Sequence, residues 1–331
     1  MPQKILVFGS YVTDLNARTP RFPAEGETII GSMFKSGPGG KGSNQAVAAK
    51  RAGGDVSFVT RLGEDVFGSV ALDFYRGEGI DTSGIILDKD SFTGAAMITV
   101  NDATSQNEIV VILGACGKFT PEEIQRLDPA IAAADIILCQ LETNLEATLA
   151  VLTRAHEKGK VTVLNPAPAC ALPESIFGCV DYITPNETEA ELLTGIAVTD
   201  RASASRAADV FLGKGVKNVI ITLGKNGYYA KNAREEIAGR AVPADVVDTT
   251  GAGDAFNGGF VAALAENKSL REALRFANAV GGLAVEKIGT APAMPFRDQI
   301  DKKLHELTDE EMAQVTGGME TGGMKIYIPN L

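Results

Sequence analysis

The segment Asp248-Thr249-Thr250-Gly251-Ala252-Gly253-Asp254-Ala255-Phe256 joins a turn of small residues to a helical pattern over 255–264. Amides at a helix start carry partial positive charge and attract anions. Read this way, the amides of Ala252 and Gly253 form an anion hole and Asp254 stands beside it as a base. The pairing suits phosphoryl transfer to a hydroxyl: amides stabilise the phosphoryl oxygens while the carboxylate accepts the alcohol's proton. On this segment alone, a capping role for Asp254 after a glycine turn is an equal alternative.

A second segment, Gly37-Pro38-Gly39-Gly40-Lys41-Gly42-Ser43-Asn44-Gln45-Ala46, leads into an Ala-rich helical pattern. Its glycines allow the backbone to approach a ligand closely, and Lys41 and Asn44 can donate to hydroxyls. Other chemistries fit less well. Gly251-x-Gly253 after a strand-like 244–247 is a partial dinucleotide fingerprint, but Phe occupies position 256 and 270–279 is helical where an acidic strand end is required. No Gly-x-x-x-x-Gly-Lys-Ser/Thr pattern occurs. With His156 and His305 the only histidines, zinc-hydrolase and Ser-His-Asp readings lose their parts.

The elements that must position these groups alternate. Strand patterns fall at 4–8, 56–60, 135–141, 160–164, 180–183 and 218–223. Helical patterns fall at 43–52, 66–76, 121–134, 145–158, 187–193 and 203–214. Several strands are apolar on both faces, as parallel strands covered by helices must be. Thr120-Pro121-Glu122-Glu123 reads as a capping box with proline at the first helical position. The expected fold is α/β: a three-layer α/β/α domain over 1–307 with a mostly parallel central sheet. Segments near 11–37 and 94–113 break the alternation, the second as two strands, 95–100 and 108–113. Together they predict a small antiparallel β-sheet lid. The tail at 308–331 repeats Thr-Gly-Gly-Met and is expected to be flexible.

Ligands of open parallel sheets bind beyond the carboxyl ends of the strands. Asp14, Glu142, Asn165, Asn186, Glu189 and Gly224 all follow predicted strands, so one rim is expected to be a polar cleft. Across 331 residues, 45% hydrophobic and 22% charged, the formal charge is −11. Such a balance excludes nucleic-acid and anionic-membrane partners and leaves any phosphate to local devices. The start of the chain runs directly into a strand pattern without a signal-peptide cleavage site, and Asp135 breaks the longest apolar run. Cys116, Cys139, Cys170 and Cys179 are widely spaced and read as buried free thiols of a cytoplasmic protein.

Taken together, 39–49 (GGKGSNQAVAA), 164–169 (LNPAPA), 183–195 (ITPNETEAELLTG), 221–227 (ITLGKNG) and 248–259 (DTTGAGDAFNGG) resemble the ribokinase-type carbohydrate kinases. Their joint order, over roughly 5–300, is far more specific than any single glycine loop. The resemblance implies an ATP-dependent enzyme that phosphorylates a sugar hydroxymethyl group and a β lid that mediates homodimerisation. It implies that Asp254 deprotonates the sugar 5-hydroxyl beside an anion hole at Gly251, Ala252 and Gly253. Asp14, Gly40, Lys41, Gly42, Asn44 and Glu142 would hold the sugar. Asn186 and Glu189 would place Mg²⁺ and phosphate through water, and Thr222, Gly224, Gly227 and Asn278 would line the nucleotide. A K⁺ loop would map to Asp248, Thr250, Ala284, Lys287, Gly289 and Ala293.

Three departures stand out. Val12 occupies a position where the family usually has Asn, two residues before the sugar-binding Asp14, which implies relaxed preference for ribose over 2-deoxyribose. Ala293 replaces a frequent cation-loop hydroxyl. The tail beyond about Leu307 has no family counterpart.

Overall fold

Side chains on a strand alternate between faces, and here the alternation divides the interior in two. Ile5 and Val7 of β1 (Lys4–Phe8) join one core cluster while Leu6 and Phe8 join the other. In β9 (Ile136–Cys139), Ile136 and Leu138 face the first cluster, Ile137 and Cys139 the second. The computed structural model describes residues 2–104 and 106–307, so the expected tail at 308–331 lies outside the described residues.

The main sheet has eight strands. From one edge they are β14 (Glu236–Gly239), β13 (Tyr228–Asn232), β12 (Asn218–Thr222), β11 (Tyr182–Ile183), β10 (Val161–Leu164), β9, β1 and β4 (Asp55–Val59). All pairings from β12 to β4 are parallel, while β13 and β14 close the edge as antiparallel hairpins that the sequence reading did not foresee. Helices α1 (Lys41–Arg51), α2 (Val66–Glu78), α8 (Ala252–Ala265), α9 (Leu270–Ala284) and α10 (Arg297–Glu306) cover one face. The other carries α3 (Pro121–Arg126), α4 (Asp128–Ala133), α5 (Leu145–Glu157), α6 (Glu187–Thr194) and α7 (Arg201–Gly213). The three layers match the expectation.

A separate four-stranded sheet runs in the order β3 (Met33–Gly39), β2 (Val12–Thr19), β7 (Thr93–Asn101), β8 (Asn107–Gly114). It is mixed rather than antiparallel, because β2 and β7 pair in parallel. A short pair, β5 (Arg61–Gly63) and β6 (Ile86–Asp88), completes the strands among the described residues.

Three local expectations need correction. The helix expected over 121–134 is two helices: Leu127 ends one and starts the next, and Pro129, with no N–H to offer a preceding turn, marks the restart. The capping box at Thr120 forms as expected. Residues 244–247 form no strand; the amides of Val247 and Asp248 both donate to the Val285 carbonyl, which ties this loop to the end of α9. Cys116 and Cys139 are buried free thiols, but Cys170 and Cys179 are half-buried. No helix among the described residues is long and apolar enough to cross a membrane.

Candidate active site

The start of α1 lies close against the β1–β2 corner. A Cβ on Gly42 would sit 2.6 Å from the Gly9 carbonyl carbon and the Ser10 nitrogen, so only glycine lets the helix approach. Ala is ordinarily the better helix former by about 1 kcal/mol, yet here overpacking against rigid backbone outweighs that gain. Gly42→Ala should therefore lose about 2 kcal/mol of stability, read as a lower denaturant midpoint; an unchanged midpoint would show that the corner yields. Gly40 takes a left-handed φ of 86°, and the Asp14 carboxylate fills the space beside Gly39, where a Cβ would lie 2.1 Å from it.

This approach delivers Lys41, Asn44 and Gln45 to Asp254 in the first turn of α8, where Asp254 is buried at 6% exposure. Asn44 Nδ2 donates to Asp254 Oδ2 at 2.8 Å, and Gln45 Nε2 donates to Oδ1 at 2.9 Å. The same Gln45 nitrogen donates to Asn165 Oδ1 at 2.9 Å, and Gln45 Oε1 accepts from Gln140 Nε2 at 2.6 Å. Asn165 in turn donates to the Thr184 carbonyl. An amide chain rooted in the ends of β9, β10 and β11 thus fixes the carboxylate's orientation. The buried Asn44 Oδ1 has no partner, so it remains available to accept from a hydroxyl.

Helix α8 starts at Gly251, whose φ of 78° turns the chain into it. The Ala252 amide donates to the Thr249 carbonyl at 3.3 Å, so it is spent in the turn rather than free, contrary to expectation. Among the described residues no acceptor pairs with the amides of Gly253 or Asp254, and the first helical bond runs from Ala255 to Gly251. The amides left for an incoming acceptor are thus those of Gly253 and Asp254 rather than those of Ala252 and Gly253.

These groups face a cleft of about 720 Å³, whose lining includes Lys41, Asn186, Glu189, Thr222, Asp254 and Asn278. Gly224 and Gly227 border it as well; Gly227, at a φ of 90°, packs so tightly that a Cβ would fall 2.0 Å from the Gly239 carbonyl. Asn278 donates to the Arg240 carbonyl at 2.7 Å. Asn186 and Glu189 cap α6 reciprocally, each accepting from the other's amide, which accounts structurally for part of their spacing. Burial raises the Glu189 carboxyl, against the Asn186 amide and Lys41. Lys41 is itself held above its ordinary value: burial opposes its charge, and the carboxylates of Asp254, Glu142 and Glu189 outweigh burial.

At the other end, Glu142 Oε2 accepts from Ser10 Oγ at 2.6 Å and from the Lys41 amide at 2.8 Å. Burial pushes Asp14 up to about 6; a hydrogen bond from Thr290 opposes this, and the charges of Glu142 and Asp254 add to it. Val12 is 3% exposed and shares a strand face with Asp14. In the loop before α8, Asp248 accepts from the amides of Thr250 at 2.9 Å and Gly289 at 3.0 Å. The Lys287 amide donates to the Ala284 carbonyl, and the Ala293 amide donates to the Thr290 carbonyl. No group of three or more His, Cys, Asp or Glu side chains among the described residues could hold a metal ion.

Sequence reasoning did not single out Gln45, Gln140, Ser10 or Thr290, which hold Asp254, Glu142 and Asp14 through hydrogen bonds. Gln45 and Gln140 had a signal: each is an uncharged polar residue inside a small or apolar run, where burial demands a partner.

The profile of the pfkB family carbohydrate kinases matches residues 2–297. The chain belongs to that family. Among its relatives, the ribokinase of Haemophilus influenzae is 40% identical over 299 residues, covering 90% of this chain and 97% of the relative. The deoxyribokinase of Salmonella typhimurium is 35% identical over 301 residues, covering 91% and 98%. The structure of Arabidopsis thaliana ribokinase complexed with ribose and ATP superposes with a TM-score of 0.85 at 31% identity, covering 93% of this carbohydrate kinase and all of that chain. Membership makes the chain a phosphotransferase with an alcohol group as acceptor.

Proposed function

We propose that this kinase transfers the γ-phosphoryl group of ATP to the 5-hydroxyl of ribose, giving ribose 5-phosphate and ADP. The observation that carries the reading is Asp254, clamped by Asn44 and Gln45 beside the free amides of Gly253 and Asp254. It stands where the Asp14–Glu142 end meets the larger cleft. In this mechanism Asp254 takes the 5-hydroxyl proton, the oxygen attacks the γ-phosphorus, and ADP leaves. The two amides stabilise charge on the transferred phosphoryl. Asp14, Glu142, Asn44 and Lys41 hold the sugar, with Gly40 and Gly42 allowing the close approach. Thr222, Gly224, Gly227, Asn186 and Asn278 line the nucleotide. Ribokinases among the relatives, at up to 40% identity, support the sugar.

Asn186 and Glu189 would hold Mg²⁺ and phosphate through water. When bound, Mg²⁺ neutralises charge on the phosphates. Potassium would be held by the loop at Asp248, Thr250, Ala284, Lys287, Gly289 and Ala293, where the Asp248 carboxylate already ties Thr250 to Gly289. It would act by ordering the loop before α8. K⁺ should then raise kcat severalfold over Na⁺ or choline at equal ionic strength; equal rates in all three salts would remove the cation assignment.

The small sheet is proposed as a lid and as the homodimer interface. Phe34 is 68% exposed, and by strand register the exposed Met97, Val110 and Ile112 lie on the same face of the small sheet, an apolar face that runs across it. Phe34→Asp combined with Ile112→Asp should convert a dimer to a monomer by sedimentation velocity; an unchanged sedimentation coefficient would place any interface elsewhere. The free cysteines suit a reducing compartment, here the cytoplasm.

One observation favours a second substrate. Buried Val12 offers no hydrogen bond on the Asp14 face, which weakens discrimination against 2-deoxyribose. A coupled ADP assay over ribose, 2-deoxyribose, fructose, tagatose and nucleosides tests both readings. Ribose should have the highest kcat/KM, a lead for 2-deoxyribose would establish the alternative, and a lead for any other acceptor would overturn both. A non-catalytic sugar- or nucleotide-binding module is disfavoured because the base and its loop are intact.

A further inference from the structure

Thr290 lies between the loop that precedes α10 and the small sheet, and no step above assigns it a role. It is 9% exposed. Its single hydroxyl proton lies within reach of Asp14 Oδ2 at 3.0 Å and of the Pro38 carbonyl at 3.1 Å. Asp14 and Pro38 belong to β2 and β3, so this hydroxyl spans from the main body to the small sheet. The loop around Thr290 is held on both sides. Before it, the Gly289 amide donates to Asp248. After it, Arg51 donates to the carbonyls of Pro292 and Met294, and Glu78 fixes Arg51 through two further hydrogen bonds. Behind Thr290 stands the α8 turn: a Cβ on Gly251 would lie 3.6 Å from Thr290 Cα. The hydroxyl is therefore delivered by a braced loop, not by a free side chain.

We propose that Thr290 is a positioning residue for sugar binding: its hydroxyl orients the Asp14 carboxylate and keeps the small sheet docked on the loop that precedes α10. The proposal rests on the reading of Asp14 as a sugar ligand. Its physical basis is that a carboxylate with one oxygen engaged by a fixed donor presents the other in a set direction, so less orientation is lost on binding. Donation also favours the charged form of Asp14. The groups facing that carboxyl are Glu142 beyond β9, Asp254 on α8 and Tyr11 before β2, with cationic Lys41 at the start of α1 close to both Glu142 and Asp254. Burial and the two acidic neighbours all push it towards protonation, and Thr290 is the hydrogen-bond donor that opposes them.

The test compares wild type with Thr290→Val, which keeps the shape, and Thr290→Ser, which keeps the hydroxyl. Thr290→Val should raise the ribose KM about tenfold, the value of a hydrogen bond to a charged group, with kcat and the ATP KM within twofold. The acid limb of kcat/KM for ribose, near pH 6 in wild type by the Asp14 value, should move to higher pH. Thr290→Ser should restore both. An unchanged ribose KM in Thr290→Val, an equal rise in the ATP KM, or a serine variant as impaired as valine would overturn the proposal. Carboxyl ¹³C titration of Asp14 separates this outcome from failure of the functional reading. A midpoint that rises in Thr290→Val supports the assignment even if ribose is not the substrate, and an unmoved midpoint rejects it.

Discussion

Asp254→Asn should lower kcat by about 10³-fold, in the middle of the range for a general base, while ATP affinity changes less than twofold. The substitution keeps the shape and removes the proton acceptor. It also places an amide nitrogen opposite a donor, because Asn44 Nδ2 and Gln45 Nε2 already point at the two carboxylate oxygens. Asn44 can rotate its amide, since its own oxygen has no partner. Gln45 cannot without facing Gln140's donor and losing Asn165. The one oxygen left on the substituted side chain should therefore settle against Gln45, leaving the fold close to wild type and the chemistry alone impaired. Steady-state kinetics with ATP calorimetry checks this; a kcat within tenfold of wild type would remove Asp254 from the proton transfer.

The second large effect is expected in specificity. Val12→Asn should raise the ratio of kcat/KM for ribose over 2-deoxyribose by about 10²-fold. A pocket that hydrogen-bonds a hydroxyl rejects the analogue lacking it by 10⁴ or more, whereas an apolar pocket discriminates by about 10² or less. Val12 Cγ1 already fills the space beside Gly94, where a Cβ would lie 2.9 Å from it, so the longer side chain also carries a packing cost. In the sugar-free protein the new amide would be buried without a partner, costing about 1–3 kcal/mol. The variant should therefore melt lower than wild type and recover more of its Tm with ribose than with 2-deoxyribose. Equal rejection of 2-deoxyribose by both proteins would remove Val12 from the sugar pocket.

What was readable from the sequence follows the range of the interactions. The parallel strands declared themselves because β1, β9 and β12 are apolar on both faces, a local pattern with one physical cause. The start of α8 was readable because turn, helix and carboxylate are contiguous. The Ala252 amide was misjudged because a single turn bond to Thr249 depends on backbone angles that composition does not specify. The small sheet was taken as antiparallel because its hairpins were visible and the β2–β7 pairing, between distant segments, was not. Gln140, Gln45 and Thr290 were missed for the same reason: their partners lie 95 to 276 residues away.

The first turn of α8 is a wall common to the Asp14–Glu142 end and the 720 Å³ cleft, with Lys41 reaching between them. Ligands seated at the two ends would therefore lie on either side of Asp254. A bisubstrate inhibitor that joins a pentose through its 5-oxygen to an adenosine oligophosphate should gain from this adjacency. The best linker would be short, since every surplus phosphate must buckle against the amides of Gly253 and Asp254.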